Sequence, residues 1–188
     1  MLKIIVGLVV GGIILLSVGI SLAIKLTSPG PILFKQKRVG KNKQPFYLYK
    51  FRTMYIDAPK QCPTADLHQP DKYITPVGKF LRKTSLDELP QLLNVLKGEM
   101  SLVGPRPVLY NQKNLIDLRD KNGANQVKPG VTGWAQINGR DELTDEEKAS
   151  FDGEYVLKKS LSFDLYCLVK TVSCVFKQTG IKEGRQSI

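Results

Sequence analysis

Residues 85–90 read Ser85-Leu86-Asp87-Glu88-Leu89-Pro90, which places two adjacent carboxylates at the start of an apolar helix. The spacing i, i+3, i+4, i+7, which gives a helix one apolar face, is met by Leu89, Leu92, Leu93 and Leu96. Because glycine favours a helix end, we expect this amphipathic helix to stop near Gly98.

The acidic pair has two interpretations that the sequence leaves open. Ser85 could be the N-cap and Glu88 the third residue of a capping box, so that both acids serve only the helix. Alternatively Asp87 is the N-cap, Pro90 falls in the first turn, and the positive helix end keeps Asp87 ionised. An ionised aspartate is a nucleophile toward phosphorus, and an acid beside it can hold a metal ion.

Around this acidic pair the chain is strongly basic, with 28 Lys and Arg against 17 Asp and Glu and a formal net charge of +11. Such a charge suits nucleic acid, an anionic membrane surface or an anionic small substrate. Many basic residues lie between positions 25 and 52, directly after an apolar segment, which favours a membrane surface. The aromatic residues do not alternate with basic ones as in a single-strand binding platform, so we expect no nucleic-acid partner.

The N-terminal segment is apolar enough to enter a bilayer. No charged residue occurs from Ile4 to Ile24, a helix long enough for a hydrocarbon core of roughly 30 Å and longer than the apolar part of a cleaved signal peptide. Residues 27–31, which include Pro29 and Pro31, cannot continue a helix. We therefore predict a membrane-anchoring helix at 1–28 and a catalytic domain at 29–188, which the basic residues after the helix place in the cytoplasm.

The predicted fold class is α/β, mainly helical with little strand. The final helix has a broad apolar face with Lys170 and Lys177, and it either packs on the core or lies on a membrane surface.

Cys62, Cys167 and Cys174 have no ligand-like spacing and are interpreted as small core residues; His68, in a polar loop, is interpreted as solvated. The elements predicted are strands at 32–34 and 46–51, helices at 108–120, 145–159 and 161–176, loops at 57–75, 101–107 and 128–134, and a further turn at 138–140.

Several basic side chains are candidates for phosphate binding. Lys50 and Arg52 lie in Lys-Phe-Arg-Thr-Met, Arg82 shortly precedes the acids, and Arg106 stands between Pro105 and Pro107. Arginine offers phosphate a bidentate fork, and flanking prolines reduce the entropy lost in holding it. The simpler alternative is that these are exposed surface charges.

Together these strings resemble the bacterial sugar transferases, the monotopic phosphoglycosyl transferases of glycan assembly, and the short length resembles their minimal members. The resemblance covers nearly the whole chain in motif order. It is carried by residues 29–40, Tyr-Lys-Phe-Arg-Thr-Met at 49–54, residues 82–101, Val-Gly-Pro-Arg-Pro at 103–107, residues 128–140 and Ser-Leu-Ser-Phe-Asp-Leu at 160–165.

The resemblance implies that a UDP-sugar gives its phosphosugar to polyprenol (undecaprenyl) phosphate, producing a polyprenol-diphosphate-sugar and UMP. It assigns the nucleophile to Asp87, which forms a covalent phosphosugar intermediate, and Mg²⁺ binding to Glu88 together with Asp87. It also implies a catalytic domain at the cytoplasmic face of the bacterial inner membrane, and it leaves a homodimer open. Around the dyad it places Lys50, Arg82, Arg106 and Asp164, with Gln136 and Arg140 near the nucleotide or sugar.

One departure concerns the membrane helix. Ser17-Val18 stands where the family has a Ser-Pro that breaks the helix and makes it re-enter one leaflet. Without the proline the main determinant of a kink is gone. We expect a re-entrant helix on the resemblance, with a straight span as the alternative.

Two other functions fit part of the sequence. A membrane-tethered basic module that binds anionic lipid or nucleic acid would explain the charge and the anchor, but not the acidic pair. A lipid diphosphate hydrolase would also use Asp, Arg and Mg²⁺, but it would not depend on a UDP-sugar.

Overall fold

A computed structural model describes residues 2–59 and 69–177, with side chains from residue 7 onward except those of residues 9 and 176. Cys62 and His68, for which the sequence predicts a core position and a solvated loop, lie outside the described residues. Residues 178–188, the end of the predicted catalytic domain, lie outside them as well.

The N-terminal helix α1 runs from Leu2 to Thr27. Within the described residues it is the one helix that is long and apolar enough to cross a membrane, by length and composition. Near its C-terminal end, Ile20 and Ile24 pack in a buried cluster with Phe51 and Leu81. Most of the other apolar side chains of α1 are exposed. The foot of α1 is therefore part of the core; its insertion into a bilayer stays a prediction.

A β-hairpin follows, as predicted. Strand β1 (Leu33–Val39) pairs antiparallel with β2 (Pro45–Phe51), with Leu33 opposite Phe51 and Val39 opposite Pro45. The first strand is longer than the sequence suggested. Its second half alternates basic and buried residues, which a short apolar run does not reveal.

Seven helices dominate the part of the chain that the structure describes. After α1 they are α2 (Pro76–Lys83), α3 (Gln91–Leu96), α4 (Lys113–Lys121), α5 (Trp134–Ile137), α6 (Asp145–Lys158) and α7 (Leu161–Lys177). The last two confirm the predicted helices, and Thr144 with Glu147 forms a capping box at the start of α6. α4 begins later than predicted, because the Gln112 side chain accepts the Leu109 amide in a turn before the helix.

A small parallel sheet joins two segments that the sequence predicted as loops. Strand β3 (Ser101–Val103) pairs with β4 (Gly130–Thr132). A Cβ at position 130 would lie 2.1 Å from the Gly104 backbone nitrogen, so the close approach requires glycine. The loop prediction was wrong here because strands of three residues are too short to show a period of two.

Helix α7 has apolar residues on both sides. Cys167 is fully buried in a cluster with Val103 and Tyr155, which confirms its predicted core position, and Cys174 is partly buried. Leu161 and Val169, in contrast, are 88% and 64% exposed. One side of the helix therefore packs on the core, as one interpretation predicted. The other side leaves an apolar stripe uncovered, and its contact with a membrane surface stays a prediction.

Candidate active site

The two acids lie in a 3-10 turn, not at a helix N-terminus. Ser85 has left-handed backbone angles (φ 55°, ψ 16°), and residues Leu86–Glu88 form the turn. Helix α3 begins only at Gln91, directly after Pro90. Both capping predictions are therefore wrong: neither Ser85 nor Asp87 caps the helix. Placing Pro90 just before the first helical residue means that its missing N–H removes no helical hydrogen bond.

Leucines on either side of the acids orient them. Leu86 and Leu89 pack against the cluster formed by the foot of α1, Phe51 and Leu81. The contacts of the two leucines with α1 hold the turn. The Asp87 and Glu88 side chains are buried, with 7% and 8% of their surface exposed. The predicted apolar face of Leu89, Leu92, Leu93 and Leu96 is only partly confirmed, because Leu93 and Leu96 are exposed and Gln91 and Asn94 are the buried residues of α3. The sequence also did not reveal that α1 supplies the packing partner of Leu86 and Leu89.

Three cationic groups converge on one oxygen of Glu88. Its Oε1 lies 2.8 Å from Lys50 Nζ, 3.0 Å from Arg106 Nη2 and 3.5 Å from Arg140 Nη2. Lys50 Nζ is also 3.6 Å from Asp87 Oδ2. Three side chains that the sequence analysis selected are thus brought to the dyad from β2, the Pro-Arg-Pro loop and the turn after α5.

The surroundings drive the pKa values of the two acids apart. Burial raises the pKa of Glu88, but the charges of Lys50, Arg106 and Arg140 outweigh burial and hold this pKa well below its usual value. Burial raises the pKa of Asp87 above its ordinary value; Lys50 opposes this, and the Glu88 carboxylate adds to it. Glu88 is therefore a firmly held anion, whereas the charge of Asp87 is the less compensated of the two. The positive charges near Asp87, not a helix end, favour its ionised form.

The loop that carries Arg106 is held by two further arginines that the sequence analysis missed. Arg119 Nη1 donates to the Arg106 carbonyl at 2.9 Å, and Arg38 Nη1 donates to the Pro107 carbonyl at 3.0 Å. Burial, with the charge of Arg106 adding to it, lowers the pKa of Arg38 to about 9. Asp152 from α6 holds Arg119 through a 2.8 Å hydrogen bond. No sequence signal joins these residues, because the contacts link separate elements.

A cavity of about 890 Å³, which we call the larger cavity, has Asp87 in its wall. This volume lies near the upper end of the range of ligand pockets, about 300–1,000 Å³. Its walls are rich in positive charge, and the predicted site residues among them are Lys50, Arg52, Arg82, Asp87, Arg106, Gln136 and Arg140. The cavity thus offers an anionic ligand many more cations than its carboxylates neutralise.

Two predicted site residues have other contacts. Arg52 reaches the cavity wall, but its guanidinium is used at the end of α1: it donates to the Ser28 carbonyl and hydroxyl at 2.9 Å each and to the Pro29 carbonyl. Asp164 accepts a 2.9 Å hydrogen bond from Tyr155 at the junction of α6 and α7, and it lines neither cavity of the described residues. Asp164 therefore lies away from both cavities, and Arg52 is placed to fix the end of α1.

Gln136 lies in the wall beside the dyad. Its Nε2 donates to the Val131 carbonyl at 2.9 Å, while its Oε1 is buried and, within the described residues, has no hydrogen-bond partner. A buried acceptor without a donor is costly. A hydroxyl or N–H of a ligand would complete it, in keeping with the predicted position near nucleotide or sugar.

The donor set of the dyad suits a hard cation that shares its coordination with a phosphate. The described residues contain no cluster of three or more His, Cys, Asp or Glu side chains that could hold a metal alone. Mg²⁺ is commonly held by one or two carboxylates together with substrate phosphates. Asp87 and Glu88 fit this pattern.

Comparison with known proteins places the chain in context. A family model described as "Bacterial sugar transferase" matches residues 1–178. The UDP-glucose:undecaprenyl-phosphate glucose-1-phosphate transferase of Escherichia coli (strain K12) is 45% identical over 160 residues, which are 81% of this chain and 34% of that protein. The sugar transferase EpsL of Bacillus subtilis (strain 168), whose specific activity is uncharacterized, is 44% identical over 160 residues, covering 85% and 77% of the two chains.

A third relative carries a different sugar in its name. The UDP-N-acetylgalactosamine-undecaprenyl-phosphate N-acetylgalactosaminephosphotransferase of Aeromonas hydrophila is 38% identical over 173 residues, 85% of this chain and 38% of that protein. The chain thus spans little more than a third of the two relatives named for a sugar and about three quarters of EpsL.

Proposed function

The chain belongs to the bacterial sugar transferase family, and on this premise we propose that it is a phosphoglycosyl transferase that moves a sugar-1-phosphate from a UDP-sugar to polyprenol phosphate. The observation that carries the proposal is the buried Asp87–Glu88 pair at the wall of a cavity lined by Lys50, Arg82, Arg106 and Arg140. Two anionic substrates meet in this reaction, and a cationic wall reduces their repulsion.

In the first half-reaction a carboxylate oxygen of Asp87 attacks the phosphorus that bears the sugar. A bond forms between this oxygen and phosphorus, the bond from phosphorus to the bridging oxygen breaks, and its electron pair leaves with UMP. The raised pKa of Asp87 indicates a carboxylate whose charge is not fully neutralised, which favours a nucleophile. Lys50, within 3.6 Å of Asp87 and 2.8 Å of Glu88, holds both carboxylates in place.

In the second half-reaction a phosphate oxygen of polyprenol phosphate attacks the same phosphorus. The bond between phosphorus and Asp87 breaks, its electron pair returns to the carboxylate, and polyprenol-diphosphate-sugar leaves. Any proton on the acceptor phosphate passes to solvent. Because the two substrates use one phosphorus in turn, the steady-state kinetics should be ping-pong.

Arg106 would hold phosphate oxygens of the transferred group. Its pKa is raised by the charge of Glu88, so it stays cationic, and the Pro-Arg-Pro loop is fixed by Arg38 and Arg119. A preorganised donor of this kind stabilises charge that develops in the transition state. Mg²⁺, when held by Asp87 and Glu88, would neutralise the charge on the diphosphate of the donor.

We further propose that α1 inserts into the cytoplasmic membrane with the catalytic domain on the cytoplasmic face. Exposed apolar side chains along α1 and the uncovered stripe of α7 are the surfaces that lipid would contact. A cysteine at position 3, in a background with Cys62, Cys167 and Cys174 changed to serine, tests the topology. Labelling only from the cytoplasmic side supports a re-entrant helix, and labelling only from outside supports a straight span.

The experiment that tests the function measures UMP release by the purified chain with undecaprenyl phosphate and Mg²⁺. UDP-glucose, UDP-galactose and UDP-N-acetylgalactosamine are compared, with Asp87→Asn as the matched control. We expect UMP and a lipid-linked sugar from at least one donor. Release of phosphate from a lipid diphosphate without any UDP-sugar would support the hydrolase alternative, and lipid binding without UMP would support the binding module.

A further inference from the structure

A second cavity, of about 320 Å³ and here called the smaller cavity, lies on the other side of the dyad. Glu88 lines the smaller cavity and Asp87 lines the larger one. Gln136 and Arg140 line both cavities and so form part of the wall between them. The two acids, adjacent in sequence, therefore face two different spaces.

The walls of the smaller cavity are mostly apolar. One wall is the dyad turn and α3, with Leu86, Leu89 and Leu92, and the opposite wall is α7, with Cys174 and Val175. Its two charged lining residues, Glu88 and Arg140, lie together, with 3.5 Å between Glu88 Oε1 and Arg140 Nη2. The cavity thus has an apolar body and a charged end, which is the shape of a site for an amphiphile.

Both walls lead toward the surfaces that lipid would contact. Leu86 and Leu89 pack against Ile20 and Ile24 at the foot of α1. On α7, Val172 lies between the cavity-lining Thr171 and Cys174 in sequence and is 57% exposed. An apolar chain in the smaller cavity would therefore lie close to both surfaces that lipid is proposed to contact.

Arg140 supplies the charge complementarity at the charged end. Its left-handed backbone (φ 50°) marks a strained position for an arginine. Within the described residues its buried Nε makes no hydrogen bond, and the nearest carboxylate oxygens, on Glu88 and Asp141, are 3.5 Å and 3.9 Å from its nitrogens. This guanidinium retains the capacity to donate to an anion.

We propose that the smaller cavity is the acceptor pocket. It holds the isoprenyl units nearest the phosphate of a polyprenyl phosphate, with the phosphate directed to Arg140 and Glu88 and the donor in the larger cavity. This inference rests on the proposed function and adds the position of the second substrate. It places the isoprenyl units beyond Gln136 and Arg140, with the acceptor phosphate at the dyad, where it can reach the phosphorus bound to Asp87.

Cys174 allows a direct test, because it is a partly buried free thiol on the α7 wall. In a Cys62→Ser chain, whose remaining Cys167 is fully buried, the thiol is alkylated with a bulky aryl maleimide. We expect the alkylated chain to form the phosphosugar adduct and release one burst of UMP from its donor, but to lose at least tenfold in turnover with undecaprenyl phosphate. We also expect undecaprenyl phosphate, but not UDP-sugar, to slow the alkylation.

The matched control is Ser173→Cys with Cys174→Ser, which carries the same label on the neighbouring exposed position and should keep its turnover. Val175→Phe fills the cavity without a reagent and should show the same split between burst and turnover. Loss of burst and turnover together in the alkylated chain, or full turnover in both filled variants, would overturn the acceptor pocket while the unlabelled chain remains active. An unlabelled chain that releases no UMP would instead refute the proposed function, and the pocket assignment with it.

Discussion

The protein buries carboxylates in two places, and the two clusters are built differently. Asp152 in α6 accepts a hydrogen bond from one arginine, Arg119, which also donates to the Arg106 carbonyl. Only 1% of Asp152 and 4% of Arg119 is exposed. Asp87 and Glu88 are buried nearly as deeply, but they lie against a cavity, and their cationic neighbours outnumber them. One cluster is a closed ion pair and the other an open one.

The difference indicates what each cluster is for. A closed pair of this kind balances one charge against one and so fixes two elements. An open cluster with surplus positive charge is unfavourable for the empty fold, because like charges are held together, and an anionic ligand relieves this repulsion. The clusters are therefore expected to respond to mutation in opposite ways: loss of stability for the closed pair and loss of chemistry for the open one.

The largest effect should come from Asp87→Asn. The change is nearly isosteric and removes a buried charge, so the thermal unfolding midpoint should stay within a few degrees of wild type. Turnover should fall by roughly 10³-fold or more, as expected when a nucleophile is removed. UMP release and thermal unfolding of the same preparation check both, and activity within tenfold of wild type would remove Asp87 from its role.

Asp152→Asn should show the reverse pattern. It leaves Arg119 buried without its counter-charge, and breaking a buried pair in this way costs about 3–5 kcal/mol. Denaturant unfolding measures the loss. Arg119→Met combined with Asp152→Leu should regain most of this stability but not the activity, since the Arg106 carbonyl loses its donor. A stable Asp152→Asn chain would show that the closed pair does not support the fold.

Arg106→Lys should impair turnover by about 10²-fold, the range for losing one preorganised donor, because an ammonium cannot reproduce the guanidinium fork. Stability should change little, since Lys50 and Arg140 still face Glu88. Comparing the UMP burst with turnover at saturating donor checks this. Wild-type rates would mean that Arg106 only balances the charge of Glu88.

Lys50→Met should move the acid limb of the donor half-reaction to higher pH. Asp87 must be ionised to attack, so the rate falls as the pH drops through its pKa, which burial has raised. The charge of Lys50 lowers this pKa, so its removal raises it further. The pH dependence of the UMP burst measures the shift. An unchanged or lower acid limb would indicate that another group controls the step.

Local sequence pattern was enough to predict the elements with clear periodicity. Helices α6 and α7, the hairpin, and the meeting of Lys50, Arg106 and Arg140 with the acids agree with expectation. Sequence does not show which distant groups an arginine contacts. Arg52 donates to the Ser28 and Pro29 carbonyls at the end of α1. Arg119, which nothing in the sequence separates from a surface charge, is buried and donates to the Pro-Arg-Pro loop.

The capping error has a similar origin. A serine, an acid and a proline near a helix start satisfy the local rules in more than one register. The register is decided by Leu86 and Leu89, which pack on the foot of α1, and this contact joins residues far apart in the chain. The conformation of the turn that carries Asp87 thus depends on its contact with α1, which local sequence cannot reveal.

The central claim is tested most directly by trapping the intermediate. The wild-type chain is incubated with a UDP-sugar labelled in the phosphate next to the sugar, without acceptor, and the protein is analysed by intact and peptide mass spectrometry. We predict one phosphosugar adduct on the peptide that contains Asp87, discharged by undecaprenyl phosphate and absent from Asp87→Asn. UMP formed only when the acceptor is present, with no label on the polypeptide at any time, would contradict a covalent route.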